Sequence, residues 1–401
     1  MGEPIGIELE KKPRLKFIDM ARSMAIILML EGHFTGAALS NDYRKSEYLL
    51  YNFWHNLHGL TSPLFFTVTG LIFVYLLSAN NEINYFENIR VKKGFKRVRQ
   101  LIFWGYLIQL NLWSICKSVY YGSEFHLEWF YAFHVLQSIG VGIFFLLLIY
   151  GIYKWIGKGA LYWYYLTAGM LIFICYAYLK NYIQIEEQLV ADHIKDKPSY
   201  IPIGAPALIQ NLFYGEFSDF SIVRYGGYTI LGGMLGSIIR INEKNALKAW
   251  FGLSFILIGL VLAIFSQGIF QSIDLFTESI GMTEVGVFEL NSTSFIRFGQ
   301  VMAFIGILMM VDKYFNIKSN LFLKIGQNTL PIYVIHVIIL YGGIAGFGLT
   351  PNLFNRDLYP FYAFGISVLF IVLFVIFVKY IEPLERFYSK IIGIFKFKKQ
   401  A

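Results

Sequence analysis

Ten stretches of about 18–23 mostly apolar residues run through this chain, at 17–38, 57–79, 98–120, 133–154, 159–180, 222–239, 249–271, 295–312, 325–347 and 360–381. Each is long enough to cross the hydrocarbon core of a bilayer, which takes about 20 helical residues. Lipid offers no partner for a bare peptide group, so such segments must satisfy their backbone internally, as helices. The expected fold is all-α: a polytopic membrane helical bundle of about ten transmembrane helices. A soluble chain of 401 residues would carry more than 15% charged residues beside 56% hydrophobic ones. Residues 1–16 are expected as a cytoplasmic N-terminus, 17–381 as one transmembrane domain, and 382–401 as a basic cytoplasmic tail.

The net charge of +8 would suggest nucleic acid in a soluble protein, but here topology accounts for it and no nucleic-acid partner is expected. Alternate loops, from the N-terminus through 80–97, 155–158, 240–248 and 313–324 to the tail, carry with their flanks 24 of the 34 Lys and Arg residues. The opposite loops with their flanks carry 7, and 3 more, Arg22, Arg224 and Arg297, fall inside helices. The positive-inside rule makes the basic side cytoplasmic, with both termini in. The basic start, Lys11 to Lys16, resembles a signal n-region, yet the segment after it is long and polar in places, so the first helix is expected to be retained. Cys116 and Cys175 sit in apolar runs, with no disulfide framework and no zinc spacing; no metal is expected. Asn291-Ser-Thr reads as a glycosylation sequon on the outer side. Gly232-x-x-x-Gly236 and Gly342-x-x-x-Gly346 are read as sites of close helix approach.

Charge inside the apolar segments is the functional signal, because ionisable residues are expensive in hydrocarbon. The first helix carries Asp19, Arg22, Glu31 and His33. Eleven residues are nearly three helical turns, so Arg22 and His33 share a stripe, about 16 Å apart along the axis. Asp19 lies one turn before Arg22, positioned to hold its guanidinium. Further polar groups gather towards the outer half: His58 on the second segment, His134 and Gln137 on the fourth, and Arg224 and Arg297 near the outer ends of theirs. On the ninth segment Pro331 is expected to kink or open the helix, letting Asn328, Tyr333 and His336 line an inner cavity. The cluster from Arg90 to Arg99, which includes Lys93 and Arg97, reads as a headgroup anchor or as a platform for a phosphorylated ligand. His55 and His126 are read as interfacial and His193 as a loop residue. A neutral imidazole at His33 suits general-base catalysis; it can equally carry an acyl group covalently, and the sequence leaves both open.

Four segments resemble blocks of the transmembrane acyltransferase superfamily. Asp19-Met-Ala-Arg22…His33 is similar to its opening motif, a basic residue followed after ten residues by His. His58-Gly-Leu-Thr-Ser-Pro63-Leu-Phe-Phe…Thr69-Gly70 resembles its second-helix block. His134-Val-Leu-Gln137-Ser-Ile-Gly140 and Gly326-Gln-Asn-Thr-Leu-Pro-Ile-Tyr333-Val-Ile-His336 resemble later ones. The nearest branches are the heparan-α-glucosaminide N-acetyltransferase-like and bacterial YeiB-like branch and, close behind, the acyltransferase type 3 branch. Where the family has Arg-Gly, this chain has Arg22-Ser23.

The resemblance implies acetyl-CoA as acyl donor, taken on the cytoplasmic side, and transfer to an extracytoplasmic sugar or glycan. His33 would be catalytic, with Asp19 and Arg22. Arg22, Lys93, Arg97, Arg99, Asn328, Tyr333 and His336 are the expected donor-binding residues. His58, His134, Gln137, Arg224 and Arg297 are expected to bind substrate, and His58, Gln137 and Asn328 are candidates to stabilise the oxyanion. A bacterial inner membrane is the expected location and a homodimer is allowed for. The competing reading is a secondary transporter or flippase for a glycan or small polar substrate, with polar residues at several depths lining its path.

Overall fold

The computed structural model describes residues 15–397 apart from 81–82, 123–127, 283–285, 316–319 and 353, and leaves side chains undescribed at 80, 128–129, 351–352 and 383–397. His126 and the basic residues Lys11, Lys12 and Arg14 lie outside the described residues. In chain order the helices are α1 (Lys16–Ala38), α2 (Leu49–His58), α3 (Thr61–Leu77), α4 (Ile89–Leu107), α5 (Leu112–Tyr121), α6 (Val135–Ile156), α7 (Leu161–Ala191) and α8 (Ala207–Phe213). They continue with α9 (Gly227–Ile241), α10 (Ala249–Ser279), α11 (Ser292–Tyr314), α12 (Asn320–Gln327), α13 (Thr329–Tyr341), α14 (Leu349–Asn352) and α15 (Pro360–Phe397). Extended structure among the described residues amounts to two isolated bridges, Leu39 with Leu358 and Asn111 with Ile344.

Six helical segments are long and apolar enough to cross a membrane: Leu49–Leu77, α6, α7, α10, Glu289–Tyr314 and Pro360–Glu382; the bent pair α12–α13 makes up to seven. The chain is thus an all-helical, multi-pass integral membrane protein. Three expected spans fall outside that set for visible reasons. α1 carries four charged residues, α4 contains the basic cluster, and α9 is only 15 residues long.

Two expected spans are interrupted. The segment at 98–120 breaks between α4 and α5 over residues 108–111. There Asn111 caps α5 by accepting from the Ser114 N–H at 2.9 Å, and the Leu112 N–H donates to the Ile344 carbonyl at 2.9 Å. The segment at 325–347 bends by 74° between α12 and α13. The break falls at Asn328, whose side-chain amide donates to the Lys324 carbonyl at 2.9 Å. Pro331 sits in the first turn of α13, where its missing N–H has no intrahelical partner to lose. It therefore begins a second helix rather than kinking a continuous one. At the other end, α15 carries the expected tail on as helix to Phe397.

Apolar burial does not drive helices together in lipid, where the tails are as apolar as leucine; close packing and interhelical hydrogen bonds do. The α3–α9 pair shows this. A Cβ on Gly70 would lie 1.9 Å from the Thr229 carbonyl oxygen, one on Gly232 2.0 Å from that of Thr67, and one on Gly236 2.2 Å from that of Leu71. α10 and α11 meet in the same way, through Gly259 against Gly299 and Gly252 against Gly306. Gly342 and Gly346 differ from the expectation. They close no helix pair but turn the chain after α13, at φ of 75° and 89°, where only glycine is comfortable.

Burial separates centre from rim. The apolar stretches of α6 and α11 are 61% buried, that of α10 only 17%, which leaves Leu257, Ile264 and Phe265 facing outwards as a lipid surface should. α1 is central and packs on α3, α11, α12, α13 and α15. Asn291 of the sequon is fully buried, and its amide donates to the Phe173 carbonyl. In the folded chain that amide is not presented for glycosylation.

Candidate active site

The charged stripe of α1 faces open space. Arg22 and Ala25 line one chamber of about 320 Å³, Met29 and His33 line another of about 130 Å³, and His33 also lines a third of about 470 Å³. The first, here the basic chamber, has apolar walls from α3, α4 and α6 (Phe65, Val68, Leu101, Ile139) with Arg22 and Arg97 among them. The third, the wide chamber, is bordered by the α4–α5 break and carries Gln109, Asn111, His134, Gln137 and Asp219. Irregular backbone is tolerated at membrane depth where it lines such a cavity. Tyr333 borders all three chambers.

At the Arg22 end, α1 is stitched to the broken pair. Asp19, 5% exposed, holds its carboxylate 4.0 Å from the Arg22 guanidinium, and Arg22 also reaches the Thr329 hydroxyl at 3.4 Å, the first residue of α13. The Ser23 hydroxyl donates to the Phe322 carbonyl at 2.6 Å and accepts from the Gly326 N–H at 2.9 Å. Ser23 therefore bonds α1 to α12. Gly326 must be small, because a Cβ there would lie 2.4 Å from the Asp19 carbonyl oxygen.

At the other end three imidazoles converge. The His33 ring centroid is 5.3 Å from that of His336 and 6.3 Å from that of His58. His33 Nδ1 lies 2.8 Å from the Tyr341 hydroxyl, which leaves Nε2 for the chambers. His58 stacks on Trp54, with centroids 5.4 Å apart, and the Trp54 indole N–H donates to Glu31 at 2.9 Å, as does the Thr35 hydroxyl. Glu31, two residues before His33 on the same helix, thus holds Trp54, the ring on which His58 stacks. Gly32 makes the approach feasible: a Cβ there would fall 1.6 Å from the His58 ring. His336 is fully buried, edge-on to Tyr333, and neither ring nitrogen has a hydrogen-bond partner among the described residues.

The expected site residues divide accordingly. Arg22, Arg97 and Tyr333 meet at the basic chamber, while His33, His58, His134, Gln137 and His336 surround the other two. His336, expected on the inner cavity, lies a helical turn beyond Tyr333 and against His33. Lys93 and Arg99 are exposed on α4 and line no chamber, although Arg97 between them does. Asn328 lines no chamber, its amide being used within α12. The Gln137 side-chain N–H₂ donates one of its two protons to Gln109 at 2.7 Å. Arg224 is exposed, in a π-turn before α9 with its guanidinium over the Tyr225 ring, and stands apart from the chambers. Arg297 acts at one remove, donating to the Asn56 carbonyl at 3.0 Å and bracing the end of α2 beside His58. Tyr341, Trp54 and Asp219 were not singled out in the sequence, and Glu31 was singled out as a charge of the first helix without a partner. No group of three or more His, Cys, Asp or Glu among the described residues is arranged to hold a metal ion.

Two adjoining chambers, one carrying Arg22 and Arg97 and the other amide, carboxylate and imidazole groups, share Leu136 and Tyr333 in their walls. The family comparison decides the class: the acyltransferase type 3 family model, described as an acyltransferase domain, matches residues 15–381. The chain belongs to that family. It is one of the two branches that the sequence motifs resemble, and the match takes in both breaks and all three chambers. No curated protein matches this acyltransferase in sequence.

Proposed function

We propose that this acyltransferase takes acyl-CoA, with acetyl-CoA the expected donor, from the cytoplasm through the basic chamber and transfers its acyl group to a sugar or glycan in the wide chamber. The observation that carries the reading is that Arg22 and His33, on one face of α1, border successive chambers that meet at Tyr333. The proposal adopts ten membrane crossings, cytoplasmic termini and a bacterial inner membrane, which put the Arg22 end inside. Apolar walls suit the pantetheine arm, while Arg22 and Arg97, with Lys93 and Arg99 on the α4 surface beyond, suit phosphates. Amide, carboxylate and imidazole groups around the wide chamber suit the hydroxyls of a sugar.

The chemistry follows from one tautomer. With Nδ1–H donating to the Tyr341 oxygen, the lone pair of His33 is on Nε2. It accepts the proton of the acceptor O–H or N–H as that oxygen or nitrogen attacks the thioester carbonyl carbon. The tetrahedral intermediate collapses with cleavage of the C–S bond, and the imidazolium returns its proton to the departing CoA thiolate. The Tyr333 hydroxyl makes no hydrogen bond to a described residue and borders every chamber, which makes it the best-placed donor to the oxyanion. Holding both reactants in a water-poor passage supplies much of the acceleration.

A carrier also uses broken helices, and coenzyme binding separates the two readings. A thermal shift of the purified chain with CoA, absent with unrelated nucleotides, is the expected result; no shift with CoA would refute the donor assignment.

A further inference from the structure

A thioester carbonyl carbon carries three substituents, and the attacking acceptor needs a fourth direction. In the proposed reading the sulfur and its arm occupy the basic chamber and the acceptor occupies the wide one. The acyl chain needs a separate space beside His33. One is present: the chamber of about 130 Å³ bordered by Met29, Phe65, Phe66, Val135 and Phe220, with His33, His58, Thr61, Ser62 and Tyr333 completing its lining. It shares Phe65 and Tyr333 with the basic chamber, and His33, Val135, Phe220 and Tyr333 with the wide one. It therefore opens where the reacting carbon must sit.

We infer that this small chamber is the acyl-chain subsite, and that Met29, Phe65 and Phe66 set the longest chain the enzyme accepts. A cavity of about 150 Å³ holds a benzene ring of six carbons, so about 130 Å³ accommodates an acetyl or butyryl chain and not an octanoyl one. The wall does not yield cheaply. Phe66 is fully buried in an aromatic cluster with Phe220 and Tyr225, at centroid distances of 6.2 and 5.1 Å. Forcing extra methylenes into a packed wall displaces side chains and backbone. Met29, 6% exposed, is the one flexible side chain in the set. Ser62 offers a position from which the space can be filled.

The inference rests on the donor assignment above, and its test keeps the two apart without needing the acceptor. The purified full chain is titrated with CoA and with acetyl-, butyryl-, hexanoyl- and octanoyl-CoA by calorimetry. Unrestricted apolar contact would raise affinity about fourfold per added methylene. The chamber instead requires affinity to stop rising after butyryl and fall about tenfold or more by octanoyl. Met29→Ala should restore octanoyl-CoA binding, and Ser62→Leu should move the limit down to acetyl, each with the affinity for bare CoA retained. Affinity that climbs steadily to octanoyl, or variants that keep CoA binding and leave the order of chain lengths unchanged, would overturn the chamber and leave the donor assignment standing. Loss of CoA binding in both variants would overturn it as a separate subsite. Failure of the wild-type chain to bind CoA or any thioester would overturn the donor assignment itself.

Discussion

At the scale of single residues, the proposed chemistry depends on how His33 and its neighbours are held. Tyr341 fixes one ring nitrogen at 2.8 Å. A hydrogen bond of this kind is worth about 1 kcal/mol net, so Tyr341→Phe is expected to slow acyl transfer about five- to tenfold while CoA affinity stays unchanged. Tyr333→Phe removes the proposed oxyanion donor and should cost about 10²–10³ in kcat; a kcat within threefold of wild type would exclude that role. Gly32 permits the contact of α1 with His58, and Gly32→Ala, with a Cβ 1.6 Å from the ring, should displace His58 and lower activity. The Arg22–His33 stripe was legible because helical periodicity is rigid: residues 22, 25, 29 and 33 all border chambers, as their spacing requires. Tyr341 was not legible. It reaches His33 from another helix, and no periodicity within one segment reports a partner 308 positions away. Arg224 lies exposed and apart from the three chambers, a position that depth along a helix does not report, because depth says nothing about which way the helix faces.

At the scale of elements, breaks and glycine contacts do the positioning. The α12–α13 bend puts Thr329 against Arg22 and Tyr333 among the chambers, and Ser23 ties that bend to α1 through α12. Ser23→Ala leaves the buried Gly326 N–H without its acceptor, a loss of about 1–3 kcal/mol, expected as a lower melting temperature in detergent. An unchanged melting temperature would show that the stitch contributes nothing. Gly232→Leu drives a side chain into the α3 backbone at Thr67 and is expected to abolish a monodisperse fold. The glycine spacing on α9 showed close approach in advance, since small residues mark helix contacts in lipid. The same spacing at Gly342 and Gly346 misled, because a helix end and a helix interface use glycine for different reasons. The interruptions were only half visible. Pro331 marked the region, but the chain parts at Asn328, and nothing in the apolar run at 98–120 announces the break that borders the wide chamber.

At the scale of the molecule, the bundle keeps its polar lining central and its apolar surface at the rim, where α10 and α15 are least buried. Segment lengths and hydropathy disclosed the all-helical membrane class, whereas the number of crossings depends on how short or charged helices such as α1, α4 and α9 sit in the bilayer. In the proposed topology, tags at either end of the chain are expected to be digested by protease only when the cytoplasmic face is open; digestion of one tag in intact cells would refute an even number of crossings. The central claim is that a donor from the Arg22 end meets an acceptor at His33. The most direct measurement is transfer of labelled acetyl from acetyl-CoA by purified wild-type and His33→Ala protein in vesicles containing extracted membrane glycans, with CoA binding measured in parallel. The expected result is labelled glycan with the wild type, and a loss of about 10²–10⁴-fold in the variant with its CoA affinity intact. Equal transfer by a His33→Ala protein that binds CoA as the wild type does would contradict it.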